Sequence, residues 1–162
     1  SRGLGDVYKR QIESDKKVCL FLAGDGEEME AVKVRESERI KPLGRLDFKD
    51  IVSLLGQAEI YCLPTEYPEG FPTSVLEAAA AGCYVITTNR GGSGELILDK
   101  SYGTILENVT VQNLKQELER ALEQKEECRL AAQKAQKRVH ELFTWDKTAQ
   151  KVHNLAEQGV AK

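Results

Sequence analysis

Val18-Cys19-Leu20-Phe21-Leu22-Ala23-Gly24-Asp25-Gly26 is a continuous apolar run closed by a Gly-Asp-Gly turn. Unbroken apolarity of this length, with turn residues at its C-terminal side, predicts a strand buried on both faces, the kind found inside parallel sheets. Outward from it the chain alternates. Residues 27–34 suit a short helix. Residues 39–43 read as a short strand whose Pro42 places it at an edge or ends it early. Asp47 is a good N-cap for a helix to Leu55, with Ile51, Leu54 and Leu55 on one face. Residues 59–63 form another apolar strand and 64–72 a long loop. A helix over 73–81 then stops at Gly82. Residues 83–87 are a strand, followed by the Gly91-Gly92-Ser93-Gly94 loop, a short helix to Leu98 and a last strand over 103–106. Strands alternating with helices, glycines at the strand C-termini, predict an α/β fold with a doubly wound parallel sheet.

From Val111 onward the pattern is helical only. Leu114, Leu118, Ala121 and Leu122 make one apolar stripe; Leu130, Ala131, Ala135 and Val139 a second; Trp145, Val152 and Leu155 a third. The charged residues between them read as solvated helix faces.

Composition removes several functions. The 162 residues carry 23 Lys+Arg against 26 Asp+Glu, a net charge of -3, so there is no basic footprint for nucleic acid. No apolar run approaches the roughly 18 residues of a membrane span, and no hydrophobic leader is visible at the start. Cys19, Cys62, Cys83 and Cys128 lie far apart, without a CxxC pair. With His140 and His153 as the two histidines, no zinc pattern arises. Cys19, Cys62 and Cys83 fall in or beside strands and are expected to be small core residues of a protein in a reducing compartment, the cytosol. Gly24-Asp25-Gly26 is not a dinucleotide fingerprint, because Met29 stands where the third glycine belongs.

Ligands of open parallel sheets bind beyond the strands' C-terminal ends. The richest such loop is Thr65-Glu66-Tyr67-Pro68-Glu69-Gly70-Phe71-Pro72-Thr73-Ser74-Val75-Leu76-Glu77. A helix beginning near Pro72 puts that proline in the first turn, where its missing N–H does no harm. Free N–H groups there, with Gly70 permitting close backbone approach, suit phosphate oxygens. Two carboxylates, Glu69 and Glu77, would accept hydrogen bonds from sugar hydroxyls. On the residues alone a plainer account stays open: Thr73 caps the helix, Glu77 is a surface residue and Glu69 a solvated loop charge.

Glu69-Gly70-Phe71-Pro72-Thr73-Ser74-Val75-Leu76-Glu77 resembles the Glu-x7-Glu donor motif of retaining glycosyltransferases of family 4, the glycosyl transferases group 1 type. Leu20 to Gly26, Leu43-Gly44-Arg45, Tyr61-Cys62-Leu63-Pro64-Thr65, Val85-Ile86-Thr87-Thr88 with Gly91-Gly92 and Glu95-Leu96-Ile97, and Phe143-Thr144-Trp145-Asp146 resemble further segments in order. The resemblance implies the C-terminal, donor-binding, Rossmann-like half of a two-domain GT-B fold, closed by an all-helical segment. It implies that Glu69 is catalytic, holding hydroxyls of the transferred sugar. It also implies that Gly70, Phe71, Pro72 and Thr73 line sugar and phosphate, the proline donating nothing, and that Glu77 binds the ribose. Gly44, Arg45 and Leu46 would lie against the base. Gly44-Arg45-Leu46 with Lys49 also resembles the family's phosphate clamp, but its place after the Gly-Asp-Gly strand favours the base-side loop.

The donor implied is a nucleotide-diphospho sugar, UDP-linked first and GDP-linked second, with no metal and no cofactor. The acceptor, a sugar, lipid-linked or glycoconjugate molecule, would be bound by an N-terminal domain. The setting implied is cytoplasmic, with peripheral membrane contact through Lys134, Lys137, Arg138, Lys147 and Lys151 as a further expectation. A non-catalytic nucleotide-sugar-binding half-domain and a GT-B nucleotide-sugar epimerase are the alternatives. At the front, Asp6-Val7-Tyr8-Lys9-Arg10-Gln11 looks like a translated sequencing adapter, so residues 1–11 are expected to be a scar outside the fold and 12–162 a partial domain. The family's first strand and helix would then be missing from a sheet ordered 3-2-1-4-5-6, leaving a gap at its centre and the chain alone inactive.

Overall fold

The computed structural model describes residues 18–68 and 70–160. The elements run β1 (Leu20–Ala23), α1 (Met29–Lys33), β2 (Ile40–Gly44), α2 (Phe48–Leu55), β3 (Ile60–Leu63), α3 (Thr73–Ala80), β4 (Tyr84–Thr88), α4 (Ser93–Leu96), β5 (Thr104–Leu106), α5 (Val111–Glu123), α6 (Lys125–Leu142) and α7 (Trp145–Val160). The expected scar over 1–11 lies outside the described residues.

Local chemistry explains most boundaries. Asp47 caps α2 by accepting the Asp50 N–H at 2.9 Å, and the Thr110 hydroxyl does the same for Asn113 at the start of α5. Gly82 ends α3 in a left-handed conformation at φ +90°, which an L side chain resists.

Every strand pairing is parallel, as the alternation predicts. Leu20 lies opposite Ile40, Ile60 opposite Tyr84, and Ile86 opposite Thr104. Among the described residues the strands form two sheets, β1-β2 and β3-β4-β5. Both groupings occur within the expected order 3-2-1-4-5-6, as its 3-2 and 4-5-6 neighbours. Pro42 sits in β2, whose described partner is β1 alone.

The core lies around β4, all five residues of which are buried. Its side chains alternate between faces. Val85 joins Val75, Ala78, Ala79, Leu96, Ala135 and Val139, while Tyr84 and Ile86 join Leu114, Ala121, Cys128, Ala131 and Ala132. The strand buried on both faces is therefore β4. β1 alternates between half-buried and exposed, with Phe21 47% exposed, because neither core cluster reaches it.

The cysteines divide in the same way: Cys83 and Cys128 are buried, Cys62 is half-buried and Cys19 exposed. The Cys83 thiol donates to the carbonyls of Leu55 at 3.3 Å and Ala58 at 3.4 Å, and burial pushes its pKa up to about 11. It is a core group, not a nucleophile.

Two helix stripes need correction. α6 buries Cys128 and Ala132 with Ala131, Ala135 and Val139, and leaves Leu130 half exposed. Trp145, Val152 and Leu155 of α7 all stay exposed, Trp145 at 89%, so the third stripe covers no core among the described residues.

Candidate functional site

β3 ends at Leu63 and α3 begins at Thr73, so the described residues 64–68 and 70–72 belong to the loop that leaves the C-terminal end of β3. Glu69, the carboxylate expected to be catalytic, lies outside the described residues. Gly70 is exposed, and its carbonyl accepts the Gly92 N–H at 2.6 Å. This bond ties the loop before α3 to the turn after β4. Phe71 sets its ring edge-on to Phe143, centroids 5.3 Å apart and planes at 65°.

A side chain at Gly92 would collide with that ring: its Cβ would fall 2.8 Å from Phe71 Cγ and 3.1 Å from Phe71 Cβ. Gly92 is thus a packing requirement, its φ of -69° being open to any residue.

Pro72 is buried and occupies the N-cap of α3, one residue earlier than the first-turn position expected. Its ring fixes φ at -63°, and its carbonyl accepts Val75 N–H at 3.1 Å. No side chain caps this helix, so Thr73 does not serve as the cap. The N–H groups of Thr73 and Ser74 make no hydrogen bond among the described residues, which leaves them as donors for a ligand oxygen.

Glu77 is half-buried one turn further on, near Tyr61 of β3. Burial raises the Tyr61 phenol above its ordinary value; the neighbouring Ser74 hydroxyl opposes this by hydrogen bonding, and the charge of Glu77 adds to the rise. Spacing left the face of Glu77 open; in the structure its charge acts on Tyr61 of β3, an edge strand of its sheet among the described residues.

Gly44, Arg45 and Leu46 lie at the end of β2, on the other sheet. Gly44 is left-handed at φ +66°, and its carbonyl accepts the Gly24 N–H at 2.8 Å, joining the two strand ends. Arg45 is exposed and Leu46 half-buried. No hydrogen bond or ion pair among the described residues links 44–46 to 70–77. Gly70, Phe71, Pro72, Thr73 and Glu77 follow one another through the end of the loop and into α3, whereas Gly44, Arg45 and Leu46 follow on from a strand of the other sheet. Gly92 and Phe143 hold the loop; both stand in segments that resemble the family, but neither was expected to position the site. The Gly91-Gly92 pair after a buried strand was the available signal for one, and the position of Phe143 at the α6 C-cap gave no periodicity for the other.

Among the described residues no three His, Cys, Asp or Glu side chains cluster as metal ligands, and no helix is long and apolar enough to cross a membrane. Three of the basic residues considered for membrane contact are engaged locally. Lys134 bonds Ser101 and lies over Tyr102, Arg138 bonds the Glu95 carbonyl, and Lys137 faces Glu141.

The family model described as glycosyl transferases group 1 matches residues 6–138. The chain belongs to this family. As a group 1 glycosyltransferase chain it is 30% identical over 135 residues to glycogen synthase of Mycobacterium tuberculosis, covering 80% of this chain and 32% of that enzyme. It is 20% identical to an uncharacterized glycosyltransferase of Methanocaldococcus jannaschii, across 97% of this chain and 42% of that protein. It thus spans less than half the length of these curated relatives. Among solved structures it superposes on HepE of Anabaena in complex with UDP-glucose with a TM-score of 0.78 at 21% identity, covering 98% of this chain and 45% of that one. It also matches the C-terminal domain of the group 1 protein LpcC from Francisella tularensis, with a TM-score of 0.76 at 20% identity, covering 88% of this chain and 78% of that domain. These likenesses show the fold of a GT-B C-terminal domain.

Proposed function

We propose that this chain is the donor half of a retaining glycosyltransferase and binds a nucleotide-diphospho sugar beside the loop 64–72. The observation that carries the reading is the uncapped start of α3, whose free Thr73 and Ser74 N–H groups stand one turn from Glu77 in a family of glycosyl transferases. Helix N-terminal donors suit the diphosphate and need no metal to take up the departing charge. Glu69 holds hydroxyls of the transferred sugar and stabilises the transition state, without an assigned covalent role. Gly70, Phe71 and Thr73 approach sugar and phosphate through their backbone, with Pro72 fixing the turn. Glu77 accepts the ribose hydroxyls, and Gly44, Arg45 and Leu46 flank the base from the first sheet.

UDP is the preferred nucleotide: HepE, a structural neighbour, was solved with UDP and with UDP-glucose. The acceptor belongs to the remainder of a longer protein that works on the cytoplasmic pool of nucleotide sugars.

The test is sugar transfer by the full-length protein from UDP- and GDP-sugars, read as nucleotide release and as product anomer by NMR. Glu69→Ala is expected to lower turnover by about 100-fold or more with nucleotide affinity little changed. Glu77→Ala is expected to weaken UDP binding by about tenfold, the loss of one charged hydrogen-bonding group. Unchanged turnover in Glu69→Ala sinks the catalytic assignment. UDP binding without any transfer leaves a binding module instead, and an inverted anomer rules out retention.

A further inference from the structure

We propose that a second site, for a saccharide unit on the receiving side of the reaction, lies in the crevice between the C-terminal ends of β4 and β5. The proposal rests on the donor reading above for its role in transfer, though not for the binding itself. The crevice has a volume of about 370 Å³ and opens where Thr88 of β4 pairs with Leu106 of β5. That volume accommodates a small ligand of one or two rings.

The lining has two parts. Ile105, Leu106 and Val109 supply an apolar wall, and Asn89, Arg90 and Glu107 supply the polar groups. All three polar residues are exposed, and their side chains make no hydrogen bond or ion pair among the described residues. A ligand therefore meets them unspent.

Their chemistry selects the occupant. A guanidinium donates, a carboxylate accepts and a carboxamide does both, which together match hydroxyl groups that donate and accept at once. The apolar wall fits the C–H face of a pyranose ring. A phosphate is disfavoured by the Glu107 carboxylate in the same lining. A nucleobase is disfavoured because no aromatic side chain lines the crevice to stack on it.

Position supplies the role. The turn 88–92 runs from the crevice to the loop that opens α3. Asn89 and Arg90 face the crevice on the β5 side, while Gly92, two residues later, bonds Gly70 in the loop that opens α3. A saccharide held by Arg90 and Glu107 thus adjoins the place where the donor sugar would lie. Arg90 and Glu107 become determinants of what receives the glycosyl group.

Saturation-transfer NMR on this chain tests the site, with glucose, galactose, mannose and N-acetylglucosamine as separate probes at millimolar concentration, with and without UDP. At least one probe should give a transfer signal that falls about tenfold in both Arg90→Ala and Glu107→Gln, while the UDP isotherm of each variant stays as in the parent chain. Both residues are exposed, so neither change removes a core contact. The proposal is overturned if no probe gives a signal, if the variants bind as the parent does, or if inorganic phosphate displaces the sugar. Saccharide binding that depends on Arg90 and Glu107 in a chain that does not bind UDP would uphold this site and sink the donor reading instead.

Discussion

Gly92 shows how one residue without a side chain can hold a loop in place. Its N–H fastens the Gly70 carbonyl, and the space where its Cβ would stand is filled by Phe71, which in turn leans on Phe143. Its φ of -69° is ordinary, so substitution acts through sterics and not through backbone strain. Gly92→Ala is therefore expected to destabilise the fold by about 1–3 kcal/mol, the range for overfilling a packed site. It should also weaken UDP binding by displacing the loop that opens α3. The three nearest atoms all belong to Phe71, so Phe71→Ala added to Gly92→Ala should recover part of the loss, a non-additivity visible in urea midpoints of the two single variants and the double. Strictly additive losses would show that the Phe71 contact is not what requires glycine. The sequence displayed the glycine pair but not its reason, because a contact between a turn after one strand and a ring before another helix leaves no periodic trace.

At the scale of elements, a polar network fastens the second sheet to α5. Arg120 donates from Nη2 to the Tyr84 hydroxyl at 2.5 Å and to Thr104 Oγ1 at 3.1 Å, and from Nε to Glu117 Oε2 at 2.9 Å. Lys100 meets the other oxygen of Glu117 at 3.3 Å. Burial acts to raise the Glu117 pKa, but the hydrogen bonds and charges of Arg120 and Lys100 outweigh it and hold the carboxyl below its ordinary value. A depressed carboxylate contributes stability above its unfolded value, about 4.3, and that contribution disappears as pH falls through the folded value. Glu117→Gln should therefore flatten the acid side of the stability profile, and Arg120→Met, which removes the guanidinium's bonds to Tyr84, Thr104 and Glu117 but leaves Thr104 on Tyr84 and Lys100 on Glu117, should cost about 1–3 kcal/mol at neutral pH. Chemical denaturation between pH 3 and 7 checks both; an acid limb identical in Glu117→Gln and the parent would rule the linkage out. Element types were legible here because strand runs, Asp47, Thr110 and Gly82 are local signals. Helix faces were less so. In α6 the positions 128, 131, 132, 135 and 139 and the expected stripe through Leu130 differ by part of a turn. Packing against α3, where the Gln136 amide reaches the Ala80 carbonyl at 2.8 Å, selects between them. The site divides in the same manner: Gly70 to Glu77 is one contiguous motif readable as such, whereas its distance from Gly44 to Leu46 depends on how two sheets are placed.

Across the whole molecule the burial is uneven, and stability should follow it. Both core clusters are built from residues of α2 onward, and neither contains a residue of β1, α1 or β2. Of those three elements only Ile40 is fully buried, while β4 is buried throughout. The β1-β2 pair is also a separate sheet among the described residues, so its hydrogen bonds gain no support from a third strand. Regions with few buried apolar contacts open at lower free energy than the core they adjoin. Amide exchange followed by mass spectrometry should therefore find two classes. Peptides covering Leu20–Ala23 and Ile40–Gly44 should exchange through a local opening, insensitive to low urea, whereas those covering Tyr84–Thr88 should exchange only with global unfolding. The base-side trio Gly44, Arg45 and Leu46 belongs to the weaker class, so a nucleotide that bridges it to Glu77 should slow exchange in β2 more than in β4. Exchange of both strand sets in one cooperative class, with or without UDP, would show that the first sheet is tied to the core more firmly than its burial predicts.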